Sequence, residues 1–158
     1  MRSLRNHHHK YDRFFMKLAL HEAYRASILG EVPVGAILVQ RGEVIAKTYN
    51  QTIQLCDPTA HAELLALRQG GLVLKDWRLI DTTLYCTLQP CVMCMEAILL
   101  ARVRRLVWGA PNGSMSESGY NFDHAHSHSR LQIVEGLYRE KVGELMRRFF
   151  QQFRKQGK

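Results

Sequence analysis

The apolar positions of this chain switch repeatedly between helical and strand periods. Over residues 11–29, Phe14, Phe15, Leu18, Ala19, Ala23 and Ala26 recur at helical spacing, and Gly30 supplies a stop. Val34 to Val39 is an apolar run with the length of a buried strand. Arg41-Gly42-Glu43 reads as a hairpin turn into a second strand, Val44 to Tyr49. Asn50 to Pro58 is polar and loop-like. Leu64, Leu65, Ala66 and Leu67 give the apolar positions of a helix beginning near His61, with Gly70-Gly71 weakening its end. Thr83 to Leu88 is strand-like, and Pro90 is expected in the first turn of the next helix, where a missing N–H costs nothing. Val103 to Trp108 reads as a strand, Gly109 to Asn121 as a Gly/Ser/Asn loop, Leu131 to Val134 as a last short strand. Leu137 to Phe153 is an amphipathic helix. Strands alternating with helices predict an α/β layered fold, and the early hairpin requires an antiparallel pair, so the sheet should be mixed.

Composition narrows the class. A chain of 158 residues suits one domain with its own core, with residues 1–10 an N-terminal extension expected to be flexible. No apolar run reaches the ~20 residues of a membrane helix, and the N-terminus lacks the apolar stretch of a secretory signal. His7, His8 and His9 are either native or a tag remnant. A cytoplasmic location is expected. The formal net charge is +8, which favours a polyanionic partner, although solubility alone is the plainer reading. The charge is uneven: Arg147, Arg148, Arg154, Lys155 and Lys158 crowd the C-terminal end among Phe149, Phe150 and Phe153, and Arg102, Arg104 and Arg105 form a second cluster. Without an export signal, the four cysteines read as metal chemistry and not as a disulfide framework.

The chemistry concentrates in His61-Ala62-Glu63 and Pro90-Cys91-Val92-Met93-Cys94. A zinc ion held by His61, Cys91 and Cys94 keeps its fourth tetrahedral position free for water, as a catalytic zinc must, and Glu63 is left over to move protons. Cys91 and Cys94, three apart, share a helix face. His61 and Glu63 are two apart, so they can share a pocket only at a helix start; two helix N-termini must then converge on one metal. H-x-E alone carries little meaning, and C-x-x-C alone more often marks a structural zinc half-site or a redox pair. Cys86, in an apolar run, is expected to be a buried small hydrophobe. His124-Ala125-His126-Ser127-His128 could chelate a metal adventitiously but reads as a solvated loop.

The combined H-x-E…P-C-x-x-C pattern is that of zinc-dependent nucleobase deaminases. With Glu31-Val32-Pro33-Val34-Gly35-Ala36, Asp57-Pro58-Thr59-Ala60, Leu67-Arg68, Thr83-Leu84-Tyr85 and Phe149-Phe150, the chain resembles the bacterial tRNA-specific adenosine deaminases of the cytidine deaminase-like superfamily. The resemblance runs from about Lys17 to the C-terminal helix. It implies a three-layer α/β fold with a central mixed five-stranded sheet flanked by helices, a homodimer, and hydrolytic deamination of adenosine to inosine at the wobble position of a tRNA anticodon. It implies one zinc per chain and Glu63 as the proton carrier. Asn50 is expected to contact the flipped base, and an Asn amide can pair with adenine's N6/N7 edge. Pro33 and Val34 are expected as pocket walls, with Ala62, Asn112 and Phe149 completing the substrate contacts. Gln89, Asn112 and Gln151 depart from residues common in the family. Two other readings stand beside this one. A free-base or nucleotide deaminase would have no use for the basic, aromatic last helix, and a non-catalytic zinc-bearing RNA-binding protein would have none for Glu63.

Overall fold

A computed structural model describes residues 2–113 and 131–156, with side chains over 11–113 and 131–154. The His124–His128 tract, residues 114–121 of the expected loop and the side chains of His7 to His9 lie outside the described residues. Helix α1 (Arg2–Ile28) leads into strands β1 (Gly35–Gln40) and β2 (Glu43–Tyr49), helix α2 (Ala62–Leu74), strand β3 (Thr82–Leu88) and helix α3 (Val92–Leu100). Strands β4 (Arg105–Ala110) and β5 (Gln132–Val134) and helix α4 (Arg139–Gln156) complete it. The five strands form one sheet in the order β2-β1-β3-β4-β5. β1 pairs antiparallel with β2 and β3, whereas β3, β4 and β5 run parallel, so the sheet is mixed as expected.

The period of two along the strands divides the core. Ala36, Leu38, Leu84, Cys86, Leu106 and Trp108 face one way, onto Ala62, Ala66, Leu67, Met95 and Ile98 of α2 and α3. Ile37, Val39, Tyr85 and Val107 face the other way, onto Phe15, Met16 and Ala19 of α1. Helices therefore cover both faces, which is why β1 reads as a continuous apolar run instead of an alternating one. Arg41 and Gly42, with φ of 51° and 83°, make the hairpin turn; positive φ at both central positions matches the right-handed twist of the paired strands.

Several expected boundaries move. α2 does not weaken at Gly70-Gly71 but runs to Leu74, because a Cβ at Gly70 would strike the Leu38 side chain and the bare backbone lets the helix lie close on the sheet. Pro90 stands outside α3, whose N-cap is Cys91. Gly109 and Ala110 belong to β4 and not to a loop, since the parallel ladder extends to Leu88 opposite Ala110. Arg105 is no surface cation. Its guanidinium holds the buried Asp12 of α1 at 2.7 and 2.6 Å, and the Tyr85 hydroxyl donates to the same carboxylate at 2.9 Å. This bidentate pair ties α1 to β3 and β4 across the layer, and removing one partner would strand a buried charge.

Candidate active site

Two helix starts meet at the cysteines. His61 is the N-cap of α2 (φ −70°, ψ 148°) and Cys91 the N-cap of α3 (φ −70°, ψ 171°). At each, the backbone carbonyl takes the first helical bond, from Leu65 and Met95 at 3.0 and 2.8 Å. Neither side chain caps its own helix, so both are spared for other work. Cys94 follows one turn into α3, and Glu63 is the second residue of α2.

The resulting geometry suits a tetrahedral metal. His61 Nδ1 lies 3.5 Å from Cys91 Sγ and 3.4 Å from Cys94 Sγ, and the three donor atoms are all within 4.8 Å of one another. Tetrahedral zinc with Zn–N ~2.0–2.1 Å and Zn–S ~2.3 Å spaces its N and S ligands by roughly 3.5 Å. Among the described residues no fourth His, Cys, Asp or Glu joins this group. Cys86 is buried in β3, its thiol directed at the Val107 carbonyl, and Cys56 is exposed on the loop before α2.

The electrostatics agree. A hydrogen bond from the Cys94 thiol, with another from His61, draws the Cys91 thiol well below its ordinary range. Sharing that proton with Cys91, and then burial, pushes the Cys94 thiol up. Zinc binding needs both sulfurs as thiolates, so a metal entering this group displaces the proton that the two share. Burial pushes Glu63 up to about 7, against a smaller lowering from its own backbone N–H and from His61. A carboxyl that gives and takes a proton near neutrality is what acid/base work at physiological pH requires.

A cavity of about 220 Å³ opens onto this cluster, lined by His61, Glu63 and Cys91. Its walls are Val32, Val34 and Leu88, and its polar rim is Asn50, Thr52, Gln89 and Asn112. That is below the roughly 300–1,000 Å³ of a drug-sized pocket and suits one planar base. The structure therefore brings Asn50, Val34 and Asn112 to the metal group. It does not bring Pro33, Ala62 or Phe149. Pro33 is buried inside a tight turn closed by Val34 N–H to the Val32 carbonyl at 2.7 Å, so the wall is Val32 and Val34, two apart. Ala62 is a fully buried core residue whose carbonyl accepts from Thr48 Oγ1 at 2.7 Å. Phe149 is buried under α4 against Phe150 and Phe153.

Residues 9–110 match the cytidine and deoxycytidylate deaminase zinc-binding region, which contains every residue of the His–Cys–Cys group together with Glu63. The chain is 39% identical over 153 residues to the tRNA-specific adenosine deaminase of Haemophilus influenzae, covering 94% of this chain and 88% of that one. It belongs to the tRNA-specific adenosine deaminases. It is also 43% identical over 159 residues to the chloroplastic tRNA(adenine(34)) deaminase of Arabidopsis thaliana, spanning 12% of that longer protein. A structure from studies of A-to-I editing by tRNA:A34 deaminases at the wobble position superposes with a TM-score of 0.74 at 39% identity, covering 84% of this chain and 98% of that one. Three cavity-lining residues, Val32, Thr52 and Leu88, are not among those expected from the sequence. For Val32 a signal existed, its spacing of two from Val34 around Pro33. Thr52 and Leu88 sit in a polar loop and at a strand end, and only the fold reveals that both face the cavity. Gln89, read only as a departure, lines the cavity and accepts the Asn112 backbone N–H on its Oε1 at 3.1 Å.

Proposed function

We infer that this chain converts adenosine to inosine at the wobble position of a tRNA anticodon by hydrolysis. The observation that carries the reading is a buried carboxyl, Glu63, beside a three-donor metal group at the floor of a base-sized cavity. His61, Cys91 and Cys94 would hold one zinc ion, which when bound supplies an activated water and a Lewis acid. The chain's own residues do the rest. Val32, Val34 and Leu88 enclose the base and exclude bulk water. Water adds at C6 of adenine while the Glu63 carboxylate takes its proton and delivers it to ring N1. Glu63 then takes the second proton from the new C6 hydroxyl and gives it to the N6 amino group, the C6–N6 bond breaks, and ammonia leaves with the 6-oxo base behind.

The last helix supports RNA as the substrate. Val142, Leu145 and Phe149 bury one stripe of α4, and the outward stripe carries Arg147, Arg148, Phe150, Phe153 and Arg154, cations interleaved with aromatic faces. A single-stranded anticodon loop lets one base splay out at little cost. Incubating zinc-loaded protein with an anticodon stem-loop carrying wobble adenosine should yield inosine by mass spectrometry, with free adenine, guanine and cytosine inert. An unreacted stem-loop with a deaminated free base would replace this reading with the free-base one.

We also propose that the chain works as a homodimer in the cytoplasm. Among the described residues no helix is long and apolar enough to cross a membrane. On the outer side of α2 and α3, a groove of about 960 Å³ includes Leu72, Trp77 and Leu100, which are 80%, 64% and 73% exposed. Apolar surface of that kind is rarely left to water. Light scattering should give twice the chain mass for the natural protein and the monomer mass for Leu100→Glu. A monomeric natural protein at micromolar concentration would rule this out.

A further inference from the structure

Glu31 stands in the turn between α1 and β1 and is 1% exposed. It does not line the cavity, and among the described residues no cation pairs with it. Its carboxylate is instead filled by uncharged donors: Oε1 accepts the Gln54 backbone N–H at 2.7 Å, and Oε2 accepts Asn50 Nδ2 at 3.0 Å and Thr52 Oγ1 at 3.3 Å. The second Nδ2 proton of Asn50 goes to Thr52 Oγ1 at 3.1 Å. Both amide protons of Asn50 are therefore used, one by Glu31 behind the cavity and one by Thr52 at its rim. Reversing the amide would press Oδ1 against a carboxylate, so the orientation is dictated by charge. Among the described residues Asn50 Oδ1 accepts no hydrogen bond, although Asn50 lines the cavity.

We propose that Glu31 is a positioning residue that locks the Asn50 amide so that the cavity is offered an acceptor and never a donor. The site then selects a substrate donor at that point, an amino N–H or a ribose hydroxyl, and refuses a nucleoside with a bare acceptor there. This narrows the expectation for Asn50. With Nδ2 engaged it cannot pair with the N6/N7 edge through both of its atoms. The inference rests on the adenosine reading above for its substrate, but the lock itself rests only on the hydrogen bonds.

The test is a charge-conserving exchange. In Glu31→Gln, Oε1 stays with the Gln54 N–H, Nε2 faces the Asn50 amide donor against donor, and Asn50 turns its own donor into the cavity. In Asn50→Asp, two carboxylates face each other. In the double variant, Gln Nε2 donates to the Asp carboxylate, whose other oxygen again offers an acceptor. On the wobble-adenosine stem-loop each single variant should lose roughly 10- to 100-fold in kcat/KM, mostly in kcat, and the double should regain most of it, with zinc content level across the set. The melting temperature should fall in Asn50→Asp, where two buried carboxylates meet, and recover in the double variant. An unchanged Glu31→Gln, or a double variant no better than the worse single, would overturn the proposal. Natural protein that makes no inosine would condemn the adenosine reading instead. The lock is then judged on the natural chain by NMR: both Asn50 side-chain amide protons should exchange slowly, and fast exchange refutes it.

Discussion

Glu63→Gln should lower the rate of inosine formation by at least ~10²–10⁴-fold while zinc content and stem-loop affinity stay at natural levels. The carboxyl is no member of the metal group of His61, Cys91 and Cys94, and although it lines the cavity, the basic aromatic stripe that would carry most of the RNA contact lies on α4. Its contribution is to proton transfer alone, and one residue serves more than one transfer in the cycle, so the loss should sit at the upper end. Gln keeps the shape and a hydrogen-bonding tip but cannot cycle a proton. A variant that turned over within tenfold of the natural enzyme would remove Glu63 from the mechanism.

The same substitution should make the zinc-free protein more stable, in one pH window only. Burial raises the Glu63 carboxyl from its ordinary range to about 7. A raised folded-state value means the fold prefers the protonated form. That preference is complete below the carboxyl's ordinary value and is lost as pH rises through about 7, where the fold must hold a buried charge. Glutamine carries no such charge. Thermal unfolding should therefore show Glu63→Gln above the natural chain at pH 8 and level with it near pH 4. Lower activity with higher stability is the signature of a group placed for chemistry at the expense of the fold.

A fold is most legible in its sequence where one residue type admits one use. Period and turn chemistry were enough for a mixed sheet, because Arg41-Gly42 and the run from Val34 to Val39 leave few alternatives. The metal group was legible because His61, Cys91 and Cys94 each sit at or within a turn of a helix start, and starts leave a mark in sequence. The cavity wall was not. Whether Pro33 or Val32 faces the cavity depends on a turn closed by one backbone hydrogen bond, and Ala62 differs from Glu63 only in which side of α2 it occupies. Phe149 and Phe150 are neighbours of one type, and only the register of α4 on the sheet decides that Phe149 is covered while Phe150 is exposed. Arg105 misled for the same reason, since three arginines close together suggest a surface until a buried Asp12 arrives from 93 residues away. Glu31 gave no sign of its role, because its partners Asn50, Thr52 and Gln54 come together only when the loop after β2 folds back behind the cavity.

Cys94→Ala should empty the metal site and, with it, abolish turnover. Cys94 is fully buried, and its sulfur is one of only three donors in the group among the described residues. With His61 and Cys91 left, a zinc ion would need further ligands from solvent at a buried position, and the affinity supplied by a thiolate would be gone. The loss extends to stability, because the group draws together the starts of α2 and α3, and free energy of metal binding is free energy of folding wherever the unfolded chain lacks the site. Metal analysis should give about one zinc per chain in the natural protein and close to none in Cys94→Ala, with a lower melting temperature that added zinc does not restore. Treating the natural protein with a chelator should reproduce that melting temperature, and zinc should reverse it. Cys86→Ala is the control: its thiol is equally buried but faces the Val107 carbonyl, so zinc content should be unchanged. Equal zinc loss in Cys86→Ala would mean that general packing, not a ligand set of His61, Cys91 and Cys94, holds the metal.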